Sequence, residues 1–339
     1  MRDRQLDIYR ALLMMYIPCV IHVMYWLGDG SEPWLSLLLV EMPLIFFVAG
    51  ASLSVSPAKR GLWETVINRL KRVIAPYYIY AAVLLCFGII ATLALKAMGL
   101  SHLFALNLSQ YGIKDVTSIL LCHDIPQFPF IWHLWFIPIY LILSCTFPLQ
   151  VKLMEKTGKW SYIMACVLLF CSTLFIKDIS LVKQVLCYNI FMVAGYLFYK
   201  KAKPSTTAVA GVIALAIVLV GVFLAGVSFC PMQGHKFPPD WLFVAYNIFV
   251  LCLVSLALSR IALRGNCLLS IWSERGYNIY LYQSVVFTIV HLVRQKTYAD
   301  IPAPLVRATL DACMVFVLST GLSCITYPLE RIVMKKMRL

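Results

Sequence analysis

The first apolar stretch of the chain contains three side chains that can carry charge or a proton. Asp7, Arg10 and His22 lie within Gln5–Trp26, where nearly every other residue is apolar. A helix in hydrocarbon accepts such groups only where they face the protein interior or a wet cavity, so their presence indicates function by default. The residue type of His22 allows three roles: a general base, a donor to a ligand, or a polar group bonded to a neighbouring helix.

Two carboxylates elsewhere in the chain are predicted to lie at the depth of His22. At about 1.5 Å per residue, His22, Glu41 and Asp311 fall in the same half of the membrane. A carboxylate beside an imidazole orients the ring and raises its basicity, so all three are candidate catalytic residues. Asp311 also has a simpler explanation, because Arg307 lies four residues earlier on the same helix face and is a ready ion-pair partner.

Other chemistries find little support in the sequence. None of the six histidines stands three or four positions from another, so no metal site is expected. No G-x-S-x-G segment occurs, which argues against a serine nucleophile. The densest basic cluster lies between Lys59 and Arg72. It is either a topogenic loop in contact with anionic lipid or a site where guanidinium groups grip the phosphates of a cytosolic donor.

The elements that hold these groups are predicted to be transmembrane helices. The 339 residues are 62% hydrophobic and 13% charged, with a mean hydropathy of +0.85, whereas soluble domains are about half apolar and a quarter charged. Apolar runs of about 20 residues predict an all-α polytopic bundle that forms one membrane domain over residues 1–339, without a separate soluble domain. The ten predicted helices are 6–28, 34–56, 73–97, 132–151, 160–177, 182–199, 206–229, 241–260, 276–295 and 304–327.

The positions of the basic residues predict the orientation of the bundle. Most of the 29 lysines and arginines fall in alternate loops on one side. The positive-inside rule therefore places both termini in the cytoplasm. The formal net charge of +14 is accounted for by these short loops, so nucleic acid is not expected as a partner.

Six segments of the chain, in order, resemble those of a known family. LDIYRALLMMYIPCVIH resembles the opening helix of the acyltransferase-3 family of integral membrane O-acyltransferases, with its Leu-Asp, Arg and distal His. The other five segments are EMPLIFFVAGASL (41–53), RLKRVIAPYYIY (69–80), HLWFIPIYL (133–141), HKFPPDW (235–241) and GYNIYLYQS (276–284). Together they cover nearly the whole chain and fall on consistent sides of the membrane.

The resemblance implies a multi-pass enzyme of the cell (inner or plasma) membrane that modifies envelope polysaccharide. Such an enzyme moves an acyl group, usually acetyl, from cytosolic acyl-CoA to a hydroxyl of a glycan or lipid-linked saccharide at the outer face. The essential residues of the family correspond to Arg10 and His22. Asp7, Arg10, Arg69 and Arg72 are then expected at the acyl-CoA end, and His22 is expected to act as the general base.

Five further residues are candidate contacts for the acceptor. An aromatic group at the outer edge of the fourth predicted helix offers a sugar-stacking face, although aromatic residues at this depth are commonly interfacial anchors. Tyr280 and Gln283 lie in the segment that resembles the family's late S-hydrophobic-x-I-Y-L pattern. The candidates are Trp132, His133, Trp135, Tyr280 and Gln283.

Three departures from the family pattern bear on the mechanism. Eleven residues separate Arg10 from His22 where the family usually has ten, which rotates the two side chains about 120° apart on a regular helix. Pro18 lies between them and cannot donate to the carbonyl of Met14, so a π-bulge or kink there would restore a common face. Glu41 and Gln283 stand where many relatives have histidine.

Two other classes of function fit a ten-helix bundle with buried charges. A secondary transporter is one, but no internal repeat and no matched pair of Gly/Pro-interrupted helices is present. A non-catalytic subunit of a glycan-assembly complex is the other, and the irregular spacing of Arg10 and His22 keeps that alternative open.

Overall fold

The computed structural model describes residues 3–55, 62–98, 113–121, 132–176, 179–259 and 267–336. Within these ranges the chain is helical and contains no strand, which confirms the all-α class. A 3-10 turn, Trp132–Leu134, precedes α5. The helices are α1 (Arg4–Trp26), α2 (Trp34–Ser54), α3 (Leu62–Ala97), α4 (Ile113–Leu120), α5 (Phe136–Thr157), α6 (Lys159–Thr173), α7 (Ser180–Phe198), α8 (Pro204–Leu224), α9 (Met232–Lys236), α10 (Trp241–Ser259), α11 (Cys267–Thr297) and α12 (Pro304–Lys336).

All ten predicted helices are present, and eight of those in the described ranges are long and apolar enough to cross a membrane. The chain is therefore a multi-pass membrane protein. The two that fall short are α6, an apolar helix of 15 residues, and α11. The latter has 31 residues, but its hydropathy is reduced by polar side chains, such as Asn278 and Gln283, that it buries inside the bundle.

α1 contains the irregularity that was predicted at Pro18. Regular α-helix ends at Tyr16, and a π-helical turn spans Ile17–His22 with the proline near its start. Proline has no amide hydrogen, so it cannot donate to the carbonyl four residues earlier. The hydrogen bonds around it change from the α-helical to the wider π-helical spacing, with one residue more per turn. The predicted π-bulge is confirmed.

Two hydrogen bonds show that α3 and α11 run parallel and in register. Tyr277 Oη donates to the carbonyl of Val73 at 3.0 Å, and Tyr80 Oη lies 2.9 Å from Ser284 Oγ. Val73 and Tyr80 are seven positions apart, and so are Tyr277 and Ser284. Equal separations on the two helices are what regular α-helices packed side by side require.

α1 runs parallel to α3 and α11, but it uses one residue more than α11 to cover the same distance. Gly276 of α11 faces the side chain of Met14, and Gln283 contacts His22. The two α11 residues are seven positions apart, whereas Met14 and His22 are eight positions apart. The π-helical turn absorbs the extra residue, so Arg10 and His22 recover the relation of residues eleven positions apart, about 20° from a common face.

These registers define two ends of the bundle. Arg10 lies four positions before Met14, and Arg69 lies four positions before Val73, so both arginines are on the same side of the level of Gly276. We call this side the Arg10 end and the opposite side, with Gln283, the His22 end.

α2 is interrupted after its first five residues, and the interruption places an acidic residue at a helix start. Its two segments are Trp34–Leu38 and Glu41–Ser54. The last two carbonyls of the first segment accept hydrogen bonds from Tyr16 Oη and Tyr246 Oη, which replaces bonds that a helix end leaves unmade. Glu41 begins the second segment, where the positive end of the helix dipole favours a carboxylate.

The packing of α2 against α7 depends on two glycines. A Cβ at Gly50 would overlap the backbone of Met192, and a Cβ at Gly195 would overlap the backbone of Phe47. Each glycine therefore lets the opposite backbone approach, as small residues do at membrane helix interfaces. The close contact between α2 and α7 therefore fixes the position of α2, the helix that carries Glu41.

Candidate active site

His22 lies inside the bundle with one ring nitrogen held by α11. Its side chain is only 8% exposed, and Nδ1 is 2.8 Å from Gln283 Oε1. An amide oxygen is only an acceptor, so Nδ1 carries the hydrogen and Nε2 keeps its lone pair. No described residue hydrogen-bonds to Nε2. With this tautomer, Nε2 is the ring nitrogen that can accept a proton.

Aromatic rings hold the plane of the imidazole. The Trp26 ring stacks on His22, with the centroids 3.7 Å apart and an angle of 12° between the planes. Phe287 packs edge-on against Trp26 at 4.7 Å. Because Trp26 lies one helical turn after His22, the position of the imidazole is set both along α1 and from α11.

The turn before α5 is fastened to α11 beside this ring. His133 Nε2 donates to the carbonyl of Tyr280 at 3.1 Å, and Tyr280 Oη donates to the carbonyl of His133 at 2.8 Å. The Tyr280 ring lies 6.2 Å from the His22 ring, and the His133 ring lies 6.0 Å from Trp26. Both predicted acceptor contacts are therefore buried side chains that line the surroundings of His22.

Glu41 is at the His22 end, but it does not hold the imidazole. Its Oε1 accepts a hydrogen bond from Lys236 Nζ, and both side chains are almost completely buried. The prediction that a carboxylate orients His22 is wrong in this respect, because the amide of Gln283 occupies that position. The other carboxylate oxygen, Oε2, is enclosed and has no hydrogen-bond partner among the described residues, and the same is true of Gln283 Nε2.

Asp311 lies further out than predicted, in a network of opposite charges. Its carboxylate accepts from Arg294 Nη1 at 3.0 Å and from Tyr298 Oη at 2.6 Å. Arg294 also donates to Asp29, which in turn accepts from Arg307. Arg294 is eleven positions beyond Gln283 on α11, so Asp311 belongs to the rim of the bundle. The simpler prediction, an ion pair with Arg307, is wrong as well, because Arg294 takes that place.

The Arg10 end has a different charge arrangement. Arg10 is 35% exposed, pairs with Asp7 at 2.9 Å and donates to Ser52 of α2. Arg69 and Arg72 stand one helical turn apart on α3, the first half-buried and the second exposed. Neither of these two has a carboxylate partner among the described residues. Guanidinium groups without a carboxylate partner are able to bind an anion such as a phosphate.

The remaining predicted acceptor contacts are only partly described. Trp135 is half-buried, and Lys236 Nζ lies 5.4 Å from the centre of its ring. The side chain of Trp132 lies outside the described residues. Within those residues, no group of three His, Cys, Asp or Glu side chains could hold a metal ion.

Comparison with known families identifies the class of protein. A family model for the acyltransferase domain of the acyltransferase-3 group matches residues 3–328, nearly the whole chain. The chain belongs to the acyltransferase-3 family. No curated protein and no solved structure matched it. This protein is thus a membrane acyltransferase, and its family implies an acyl donor and an acceptor.

The acyltransferase contains two site residues that the sequence did not single out. Lys236, in the HKFPPDW segment, is the last residue of α9 and pairs with Glu41, and Trp26 stacks on His22. A lysine in a predicted loop gives no sign that it enters the bundle. Trp26 could have been predicted from the sequence, because it follows His22 by four positions and therefore lies on the same helix face.

Proposed function

We propose that this acyltransferase moves an acyl group, acetyl in the simplest case, from acyl-CoA at the Arg10 end to an acceptor hydroxyl at the His22 end. The observation that carries the proposal is the hydrogen bond between His22 Nδ1 and Gln283 Oε1. It leaves the lone pair of Nε2 available inside the bundle, where a proton acceptor is otherwise rare. The Arg10 end would face the cytoplasm of a cell with this protein in its inner or plasma membrane.

The donor fits the Arg10 end through its phosphates. Arg69 and Arg72 supply charge that no described carboxylate neutralises, and guanidinium groups bind phosphate through paired hydrogen bonds. Arg10 is held in place by Asp7 and Ser52 at the same end. Arg10 and His22 are roughly 18 Å apart along α1. The pantetheine arm of acyl-CoA would extend over this distance and bring the thioester to the imidazole.

The reaction then needs no protein nucleophile. Nε2 of His22 takes the proton of the acceptor hydroxyl, and the oxygen attacks the thioester carbonyl to form a tetrahedral intermediate. Collapse of that intermediate breaks the carbon–sulfur bond, and the CoA thiolate leaves. The imidazolium returns its proton to the thiolate, so the histidine is neutral again. Proton transfer by a positioned base of this kind contributes about 10²–10⁴-fold to the rate.

The acceptor would be a hydroxyl-bearing glycan or lipid-linked saccharide. Two enclosed atoms near the His22 end lack hydrogen-bond partners among the described residues: Glu41 Oε2, an acceptor, and Gln283 Nε2, a donor. Unpartnered buried polar atoms cost about 1–3 kcal/mol each. A molecule with several hydroxyl groups can satisfy an acceptor and a donor and still present one hydroxyl to His22.

Mass analysis of cell-envelope glycans tests the proposed function. Cells with the wild-type chain should show an acyl mass increment that is lost with His22→Ala at equal protein level in the membrane. His291→Ala is the matched control, because His291 is exposed on α11 and its one hydrogen-bond partner among the described residues is Gln295. An increment that persists with His22→Ala would contradict the role of His22. Glycans identical with and without the wild-type gene would contradict the choice of acceptor.

A further inference from the structure

The part of α1 that follows His22 is a single helical turn. Regular α-helix resumes at Val23, directly after the π-helical turn, and ends at Trp26. One turn of helix is not stable by itself, because its few hydrogen bonds do not offset the cost of ordering the backbone. Gly28 follows with a φ of 75°, so the chain leaves the helix at once. The position of the imidazole therefore depends on what holds this turn to the rest of the bundle.

α11 contacts this part of α1 at three points along one face. Gln283 is hydrogen-bonded to the imidazole, and Phe287 packs against the ring of Trp26. The third contact is a hydrogen bond of 2.9 Å from Arg294 Nη1 to the carbonyl of Leu27. The three α11 residues are four and seven positions apart, which keeps their side chains within about 40° of one another around the helix axis. One helix therefore positions the base, the ring stacked on it and the end of the turn.

Arg294 caps the end of α1 and binds the chain beyond it. The last carbonyls of a helix have no partner inside the helix, and a cation beside them also meets the negative end of the helix dipole. Besides the carbonyl of Leu27, Arg294 binds the carboxylate of Asp29 through two hydrogen bonds, Nη1 to Oδ2 at 2.7 Å and Nη2 to Oδ1 at 3.0 Å. A paired bond of this kind fixes direction as well as distance.

Arg294 is itself held in place by opposite charges from α12. Asp311 accepts from Arg294 at 3.0 Å, and Arg307 donates to Asp29 at 3.0 Å. The two carboxylate side chains are fully enclosed, and the two arginine side chains are 14% and 19% exposed. Charge pairs that are this enclosed are screened far less than surface pairs. The network therefore joins the end of α1 firmly to both α11 and α12.

We propose that Arg294 is a positioning residue for acyl transfer. It fixes the final turn of α1 against α11, so that the imidazole of His22 keeps the orientation in which Nε2 meets the acceptor hydroxyl. This inference rests on the proposed function, in which His22 is the base. Without Arg294 the Gln283 bond would remain, but the end of the turn would be free to move. A displacement of about 1 Å at a reacting group is enough to slow a reaction by up to about 10²-fold.

Transfer of labelled acetyl from acetyl-CoA to envelope glycans, measured in detergent-permeabilised membranes, tests this role. Arg294→Gln removes the bond to Leu27 and the paired bonds to Asp29. It should lower kcat by about tenfold or more and leave the KM for acetyl-CoA within about twofold of the wild type. Arg294→Lys keeps the positive charge but not the paired bonds, so it should recover part of the rate. A wild-type kcat in Arg294→Gln would overturn the proposal.

Arg307→Gln is the matched control for lost stability. Arg307 belongs to the same network, but its described hydrogen bonds go to Asp29 and the carbonyl of Ile301 and none goes to α1. Its Tm in detergent should fall about as far as that of Arg294→Gln, whereas its kcat should stay within about threefold of the wild type. An equal loss of kcat in the two variants would assign Arg294 a purely structural role and overturn the proposal.

The same substitution in a His22→Ala background separates this inference from the proposed function. No imidazole is left to position there, so adding Arg294→Gln should lower the residual rate by less than about twofold. A further tenfold loss would overturn the inference alone, whereas full transfer by His22→Ala would overturn the proposed function with it. Where Arg294→Gln does not fold, Arg294→Gln/Asp311→Asn carries the same predictions, because it removes one charge of each sign and keeps the pair of Asp29 with Arg307.

Discussion

The two ends of the bundle differ in whether all of their charged side chains have a partner of opposite charge. At the His22 end, Glu41 is paired with Lys236 and Asp311 with Arg294, and the imidazole is held by an uncharged amide. At the Arg10 end, the guanidinium groups of α3 have no carboxylate partner in the described residues. Neutralised, rigid surroundings suit proton transfer because little reorganisation is needed. Free positive charge suits capture of an anion.

The comparison assigns different kinetic signatures to the two ends. Changes at the His22 end should lower the turnover rate and leave the affinity for the donor intact. Changes at the Arg10 end should raise the KM for the donor and leave turnover at saturation nearly intact. Turnover and KM of variants at each end therefore show whether the two ends act separately.

Loss of the imidazole should have the largest effect. His22→Ala is expected to reduce acyl transfer by about 10²–10⁴-fold, the usual contribution of a general base. Steady-state kinetics on purified protein measure it, with His291→Ala as the control. An acyl-transfer rate of His22→Ala within threefold of the wild-type rate would contradict a catalytic role of the His22 end.

Breaking the buried ion pair at the His22 end should mainly cost stability. Lys236→Met leaves the carboxylate of Glu41 buried without a counter-charge, and such a break costs about 3–5 kcal/mol. Adding Glu41→Leu removes the stranded charge, so the double variant should recover most of the lost Tm without recovering activity. A single Lys236→Met variant as stable as the wild type would show that the pair is not essential to the folded state.

Removing the amide that orients the imidazole should lower turnover more moderately. Gln283→Leu leaves Nδ1 without its acceptor, at about 1–3 kcal/mol, or roughly 5–150-fold in rate. Gln283→His, the residue that many relatives have there, keeps a hydrogen-bonding group and should retain part of the rate. Gln295→Leu, exposed on the same helix, is the control. A raised KM for the donor with unchanged turnover would contradict the assignment.

Removal of a single arginine at the Arg10 end should have a smaller effect, and on the KM for the donor instead of on turnover. Arg72→Ala removes one exposed phosphate contact, at about 1 kcal/mol or roughly fivefold in the KM for the donor. Lys71→Ala is the matched control, because it removes the same charge from a different face of α3. Equal effects of the two variants on the KM would show that positive charge attracts the donor non-specifically, without a defined contact at Arg72.

The smallest expected effect is a pH dependence at the start of α1. Burial alone would raise the pKa of Asp3, but hydrogen bonds from Lys200 and from the amides of Leu6 and Gln5 outweigh it and hold the pKa below its usual value. The stabilisation by the charged form is therefore present above the usual aspartate pKa of about 3.9 and is lost as the pH falls through the lower folded value.

Asp3→Asn keeps a helix cap but removes the charge. Its Tm should be below that of the wild type at neutral pH, and the difference should disappear in strong acid. A difference that is independent of pH would show that the charge of Asp3 is irrelevant to stability.

Hydropathy and helix geometry were enough to predict ten of the helices and the distortion at Pro18, because both are local properties of the chain. The short helices α4 and α9 were not predicted. The partners of Glu41 and Asp311 were predicted wrongly for a physical reason. Counting residues along a helix fixes depth but not rotation about the helix axis, and Asp311 also lay nearer the rim than its count suggested. Lys236 was missed because hydropathy does not reveal that a short helix between two spans, α9, packs into the bundle.

Binding of acetyl-CoA to purified protein tests the central claim most directly, since it requires no acceptor. The Kd, measured by calorimetry in detergent, should be the same for the wild type and His22→Ala. For Arg69→Ala/Arg72→Ala it should rise at least tenfold, about 1.4 kcal/mol. Loss of donor binding in His22→Ala, or its persistence in the double arginine variant, would contradict the division of the site between the two ends.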